Sequence, residues 1–114
     1  MQSPELLGNI GKDARVAKVS ENRVAINFDI CSTRTFMTSE GKQSRSTWFP
    51  CTIWAPEDKV STYFTKGRPV ALGGHFENNT RTIQEEGKET PTKIQGLYFN
   101  VTDFQFFDKQ DQEG

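Results

Sequence analysis

The sequence predicts an all-β barrel of five strands with one short helix between the third strand and the fourth. Three observations carry that prediction. Residues 23–30 alternate strictly, with Val24, Ile26, Phe28 and Ile30 on one side and Arg23, Ala25, Asn27 and Asp29 on the other, which is the period of a half-buried strand. Aromatic and β-branched runs recur along the chain between glycine-bearing polar stretches. Only one segment, residues 56–67, changes to a helical spacing.

The chain has 114 residues, enough for one domain and too few for a second with its own core. Residues 1–107 read as that domain, and 108–114 as a short polar tail expected to be disordered. Leu6, Leu7 and Ile10 open the first strand, punctuated by Gly8, Gly11 and Asp13, and it resumes over Ala14 to Val19. A turn at Asn22 leads into the alternating second strand. Phe36 to Ser46 is polar and contains glycine, so it reads as a hairpin loop. Thr47 to Trp54 is the third strand. Pro56 suits the first turn of a helix, with Glu57 and Asp58 near its positive end. Val60, Tyr63 and Phe64 follow at helical spacing, and Lys66 and Gly67 supply a cationic last turn and a stop, giving about three turns. Pro69 to Phe76 returns to strand, with Gly73 and Gly74 marking a bulge. Glu77 to Thr92 reads as a long polar hairpin arm, in which Glu85 and Glu86 form a solvated face. Lys93 to Phe107 is the last strand. Three strands, a helix, then two strands is the connectivity of the OB barrel. A sandwich would need more strands, and a βαβ fold more helices.

Nine Phe, two Trp and two Tyr are many for this length. Such residues fill β cores, and they also offer flat faces on which bases stack. The net charge is −1, yet residues 1–84 carry 11 Lys/Arg against 8 Asp/Glu, whereas residues 85–114 carry 3 against 7. A mildly basic body with an acidic end fits an anion binder. Cys31 and Cys51 match no metal spacing and read as buried free thiols. No secretory leader or membrane span is visible, so a cytosolic protein is expected. No cofactor and no metal is expected, because the chain holds neither a phosphate-binding glycine loop nor a ligand cluster. His75 is the only histidine and reads as a surface or packing residue, and no nucleophile and base are visibly paired. The chain is therefore not expected to be an enzyme.

The run from Leu7 to Val16, the segment Trp48-Phe49-Pro50-Cys51-Thr52-Ile53-Trp54, and Tyr63-Phe64-Thr65-Lys66-Gly67-Arg68-Pro69-Val70 stand in the order and spacing of three motifs. They resemble the opening strand, third strand and helix end of bacterial single-stranded DNA-binding proteins, the SSB family. Gly74 corresponds to the glycine of that family's fourth strand. The resemblance spans residues 5–107. It departs at Ala14, where the family has proline, and at Arg81 or Thr82, where the family carries an aromatic. The family's Gln-rich tail and acidic tip have no counterpart before Gly114, so tail-mediated recruitment of repair enzymes is not expected.

The resemblance implies single-stranded DNA as the partner, non-catalytic coating in replication, repair, recombination or DNA transfer, and a homo-oligomer, with a tetramer favoured over a dimer. A nucleoid-associated place in the cytoplasm goes with it. Trp48 and Trp54 lie six apart on one strand and so share a face. By resemblance they match two stacking positions of the family. Phe36, beside polar Thr35 and Thr38, matches a third. Phe28, Phe64, Phe99, Phe104 and Phe106 read mostly as core, and Tyr98 fits either role. Among Arg15, Lys18, Arg23, Arg34, Lys42, Arg45, Lys66, Arg68 and Arg81, the expected phosphate contacts are Arg15, Arg34, Arg45 and Arg81, which lie on or beside the strands and hairpins that frame a groove. Lys12 reads as a turn residue. Two other readings fit the same residues. One is an OB module that binds RNA, and the other is a primosome-like OB protein in which the aromatics serve protein assembly.

Overall fold

The computed structural model describes residues 4–84 and 87–107, the side chains of Arg34 and Arg81 excepted. The tail expected at 108–114 and the Glu85-Glu86 face lie outside the described residues. Six strands and one short helix follow one another: β1 (Leu6–Ile10), β2 (Arg15–Ser20), β3 (Arg23–Thr38), β4 (Gly41–Ala55), a 3-10 helix (Lys59–Tyr63), β5 (Pro69–Ile83) and β6 (Thr92–Phe106). β1 and β2 are two halves of the predicted first strand, parted by a turn at 11–14. The expected five-stranded barrel results.

The sheet runs β1-β5-β6-β4-β3-β2, and a further pairing of β1 with β3 closes it. Closure satisfies edges that an open sheet would leave unpaired. β1 holds β5 antiparallel from Leu6↔Leu72 to Asn9↔Pro69 and meets β3 at Ile10↔Ile30. β4 joins β6 in parallel at Cys51↔Phe99. The register Phe28↔Cys51 and Ile26↔Ile53 sends even positions of β3 and odd positions of β4 inward. These side chains join Ile10, Ile30, Val70, Leu72 and Phe99 in one buried core.

Both hairpin arms are more regular than the sequence suggested. β3 and β4 stay paired to Thr38↔Gly41, so most of the stretch expected as loop is strand. The Thr38 hydroxyl closes the turn by donating to the Gly41 carbonyl at 3.0 Å. Likewise β5 and β6 remain paired to Ile83↔Thr92. Beyond the barrel the β3–β4 arm is exposed on both sides, so the alternation that reveals a strand is absent there although the backbone ladder persists.

The predicted helix of about three turns is instead the five-residue 3-10 helix Lys59–Tyr63. Its residues explain the shortening. Val60, Ser61, Thr62 and Tyr63 are weak helix formers. Ser61 and Thr62 donate their hydroxyls back to the Asp58 and Lys59 carbonyls, at 2.7 and 3.1 Å. Tyr63 is exposed, and Phe64, just past the helix, is the residue delivered to the core. Its ring packs 4.7 Å from Phe28, 4.9 Å from Phe104 and 5.0 Å from Phe106, closing the barrel floor. Arg68 seals that floor from outside, its guanidinium 3.8 Å over the Phe106 ring. The Gly73-Gly74 bulge is present as a register shift. A Cβ at Gly74 would lie 2.0 Å from the Asn100 carbonyl oxygen, so only glycine fits. Cys51 is buried and Cys31 half-buried, and neither forms a disulfide.

Candidate nucleic-acid interface

Even positions of β4 and odd positions of β3 form the outward face of the barrel wall. Trp48 and Trp54 both stand on it, as their spacing predicts. Trp48 sits opposite Cys31 and is 58% exposed. Its ring rests on the turn after β1, where a Cβ at Gly11 would lie 2.2 Å from Trp48 Cζ3. The Cζ3 edge of the ring is therefore against backbone, and the side chain still presents a wide surface to solvent. Trp54 sits opposite Ala25 and is half-buried, with the Arg23 guanidinium 4.7 Å above its ring. That cation–π contact brings positive charge to the ring.

The face between the two tryptophans is not open. Thr52 is fully buried and Asn27 nearly so, although alternation places both toward solvent. Ala17 and Ala25 are also fully buried. The end of β5 lies here, with the Thr82 carbonyl accepting a hydrogen bond from Asn27 Nδ2 at 2.8 Å. Expected exposure of the whole Arg23–Asp29 polar face is thus corrected: Arg23 and Asp29 are exposed, and Ala25 and Asn27 are covered.

Cationic side chains gather beside this point. Arg15, opposite Asn27 on β2, lines a concavity of about 120 Å³ together with Lys12, Asp13, Asn27, Ile83 and Gln84. It adjoins a wider groove of about 530 Å³ that also reaches Lys66. The Asp13 carboxylate accepts from the Lys66 backbone N–H at 2.8 Å, tying the 11–14 turn to the segment after the helix. Lys12, read from the sequence as a turn residue only, therefore stands with Arg15 in one groove. Nothing local to Lys12 signals this, because the groove is closed by β5, some 70 residues away.

The other expected residues lie elsewhere. Phe36 is 37% exposed and pairs with Gln43, and Arg45 pairs with Arg34. In strand parity Phe36 and Arg45 belong to the inward side of β3 and β4, continued past the barrel, so they emerge on the opposite face of the arm from Trp48. Arg81 occupies the β5 position opposite Ile94, next to Thr82. The structure thus brings Trp48, Trp54 and Arg15 to one face, and does not bring Phe36 and Arg45 to it. Tyr98 is buried, which removes it as a stacking surface, and Phe28, Phe64 and Phe99 are core as expected. His75 is exposed and pairs with Glu77 at 3.0 Å. Among the described residues no three His, Cys, Asp or Glu side chains are grouped to hold a metal, and no helix is long and apolar enough to cross a membrane.

Comparison with known proteins gives a consistent assignment. The model of the single-strand binding protein family matches residues 1–102. A comparison with curated sequences returned no match. Among solved structures, the chain is similar to the Plasmodium falciparum SSB in a complex with ssDNA, at 18% identity and a TM-score of 0.66, covering 90% of this chain and 91% of that one. It is also similar to a deletion mutant of the single-stranded DNA binding protein from Thermus aquaticus, at 8% identity and a TM-score of 0.66, covering 91% of this chain and 49% of that one. At such identities the likeness establishes a shared fold.

Proposed function

The chain belongs to the single-strand binding protein family, and from that premise we propose that it coats single-stranded DNA with little sequence preference, by base stacking and phosphate neutralisation. It is a non-catalytic binding protein. The observation that carries the reading is Trp48, a large aromatic held 58% exposed on a glycine seat, on the same face as Trp54 and close to the Lys12–Arg15 groove. A ring so placed accepts any base, because every base has a π-face.

The contacts proposed are stacking by Trp48 and Trp54 and phosphate pairing by Arg15, with Phe36, Arg34, Arg45 and Arg81 meeting the strand farther out along the two arms. The domain proposed is residues 1–107. A homotetramer working in replication, repair, recombination or DNA transfer, in the cytoplasm with the nucleoid, completes the proposal.

The test is tryptophan fluorescence during titration with oligo-dT at two salt concentrations, with oligo-U as competitor. Saturating quenching that weakens as salt rises, and that oligo-U displaces poorly, is the expected result. Absence of quenching at low salt would overturn the coating reading, and displacement by oligo-U at equal concentration would turn it toward RNA.

A further inference from the structure

The burial of Asn27 and Thr52 has a structural cause. Both occupy outward positions of the barrel wall, yet they are 7% and 0% exposed. Polar groups removed from water must find partners, and among the described residues no buried side-chain nitrogen or oxygen lacks one. The Thr52 hydroxyl donates to Asn27 Oδ1 at 2.8 Å, which leaves the Asn27 amide directed at the Thr82 carbonyl, also at 2.8 Å. Thr82 belongs to β5, 55 residues away, near the end of its pairing with β6. The two alanines beneath, Ala17 and Ala25, have side chains small enough for close approach. Thr82, at the end of β5, therefore lies on the outward face, and the next residues, Ile83 and Gln84, form one wall of the groove that Lys12 and Arg15 form on the other side.

We propose that the end of β5, Thr82 to Gln84, is a lid on the binding face, and that Asn27 is the positioning residue that latches it. A DNA strand running from Trp48 to Trp54 along Arg15 enters after the Asn27–Thr82 hydrogen bond opens. The proposal rests on the DNA-coating reading above. It makes loading a two-step event: the lid opens, then the strand stacks. Opening breaks this hydrogen bond together with the packing of the end of β5 over Ala17, Ala25 and Thr52, so it costs more than the bond alone and can set a rate.

Two measurements test it with the full chain. The first needs no DNA: amide hydrogen exchange in the peptides around Thr82 and Ile83. Asn27→Ala should exchange about fivefold faster there than wild type, with peptides of the barrel floor around Phe64 unchanged. Thr52→Val, nearly isosteric, should give a smaller increase, and it serves alone should Asn27→Ala fail to fold. Equal exchange in all proteins overturns the latch. The second is stopped-flow tryptophan quenching by oligo-dT. The wild-type rate should level off as oligonucleotide concentration rises, and the plateau should be roughly fivefold higher in Asn27→Ala, equivalent to about 1 kcal/mol. Rates that rise linearly and superimpose for wild type and variants overturn the gate while leaving DNA coating intact. No quenching of the wild type overturns DNA coating and the gate with it, and the exchange data then judge the latch alone.

Discussion

Trp48, proposed as a stacking residue, is seated by another residue's lack of a side chain. The edge of its ring abuts Gly11, and the turn carrying Gly11 is fixed by the Gly11 N–H bonding to the Asp29 carbonyl at 2.9 Å. A ring already supported on one side loses less rotamer freedom when a base stacks on it. Gly11→Ala places a methyl where the ring now lies and must displace it. Its affinity for oligo-dT should fall in the same direction as that of Trp48→Ala, for which a loss of about 1–3 kcal/mol is expected. The melting temperature should change little, because the indole is mostly exposed. Fluorescence anisotropy with a labelled oligonucleotide and a thermal melt measure both, and wild-type affinity in Gly11→Ala would show that the seat is irrelevant. Trp48 and Trp54 were legible as a pair because strand period alone puts residues six apart on one side. Gly11 as a seat was not, because it is made by the turn after β1 meeting a side chain of β4, 37 residues on.

At the scale of elements, the 3-10 helix and the two arms differ from what residue pattern suggested, in opposite directions. The helix is shorter because its hydroxyl-bearing residues bond to their own preceding carbonyls. Its task is then a single one, to deliver Phe64 into a cage of Phe28, Phe104 and Phe106. Phe64→Ala should destabilise the fold by about 3–5 kcal/mol, the cost of truncating a fully buried aromatic. Urea unfolding followed by circular dichroism measures this. A loss below about 1 kcal/mol would mean that the barrel floor collapses onto the gap. The arms are longer as strands than expected, because a ladder continues wherever two chains stay in register, with or without an apolar side. β5 gains a second role from this length, since only a strand that runs to Ile83 reaches Asn27 of β3.

The whole molecule is elongated for its size, with extents of 53 × 35 × 30 Å. Barrel closure leaves several large apolar side chains outside, among them Leu7, Phe76 and Leu97. Phe76 lies between its neighbours Phe49 and Phe99, at ring distances of 6.0 and 5.0 Å, and remains 46% exposed. Exposed apolar groups of this size are the surface that a second copy would cover. With the proposed tetramer, light scattering should give a mass about four times the 12.9 kDa of the chain. Leu97→Asp should lower that mass while single chains keep their far-ultraviolet circular dichroism. A wild-type mass of one chain at micromolar concentration would remove the tetramer from the proposal.

The sequence by itself determined the order of strands and helix, the inward set of β3 and β4, the bulge at Gly73-Gly74 and the shared face of Trp48 and Trp54. Each depends on period or on a backbone requirement, which neighbours along the chain express. It also carried the family, through three motifs in order. Only the tertiary structure decided that Asn27 and Thr52 are buried, that Lys12 stands beside Arg15, and that β3 and β4 continue through the expected loop, which puts Phe36 and Arg45 on the side opposite Trp48. These depend on how far paired strands run and on which wall the end of β5 touches. Strand alternation states which side of a strand a residue occupies, but whether that side meets water or another strand is set by contacts between residues far apart in the chain.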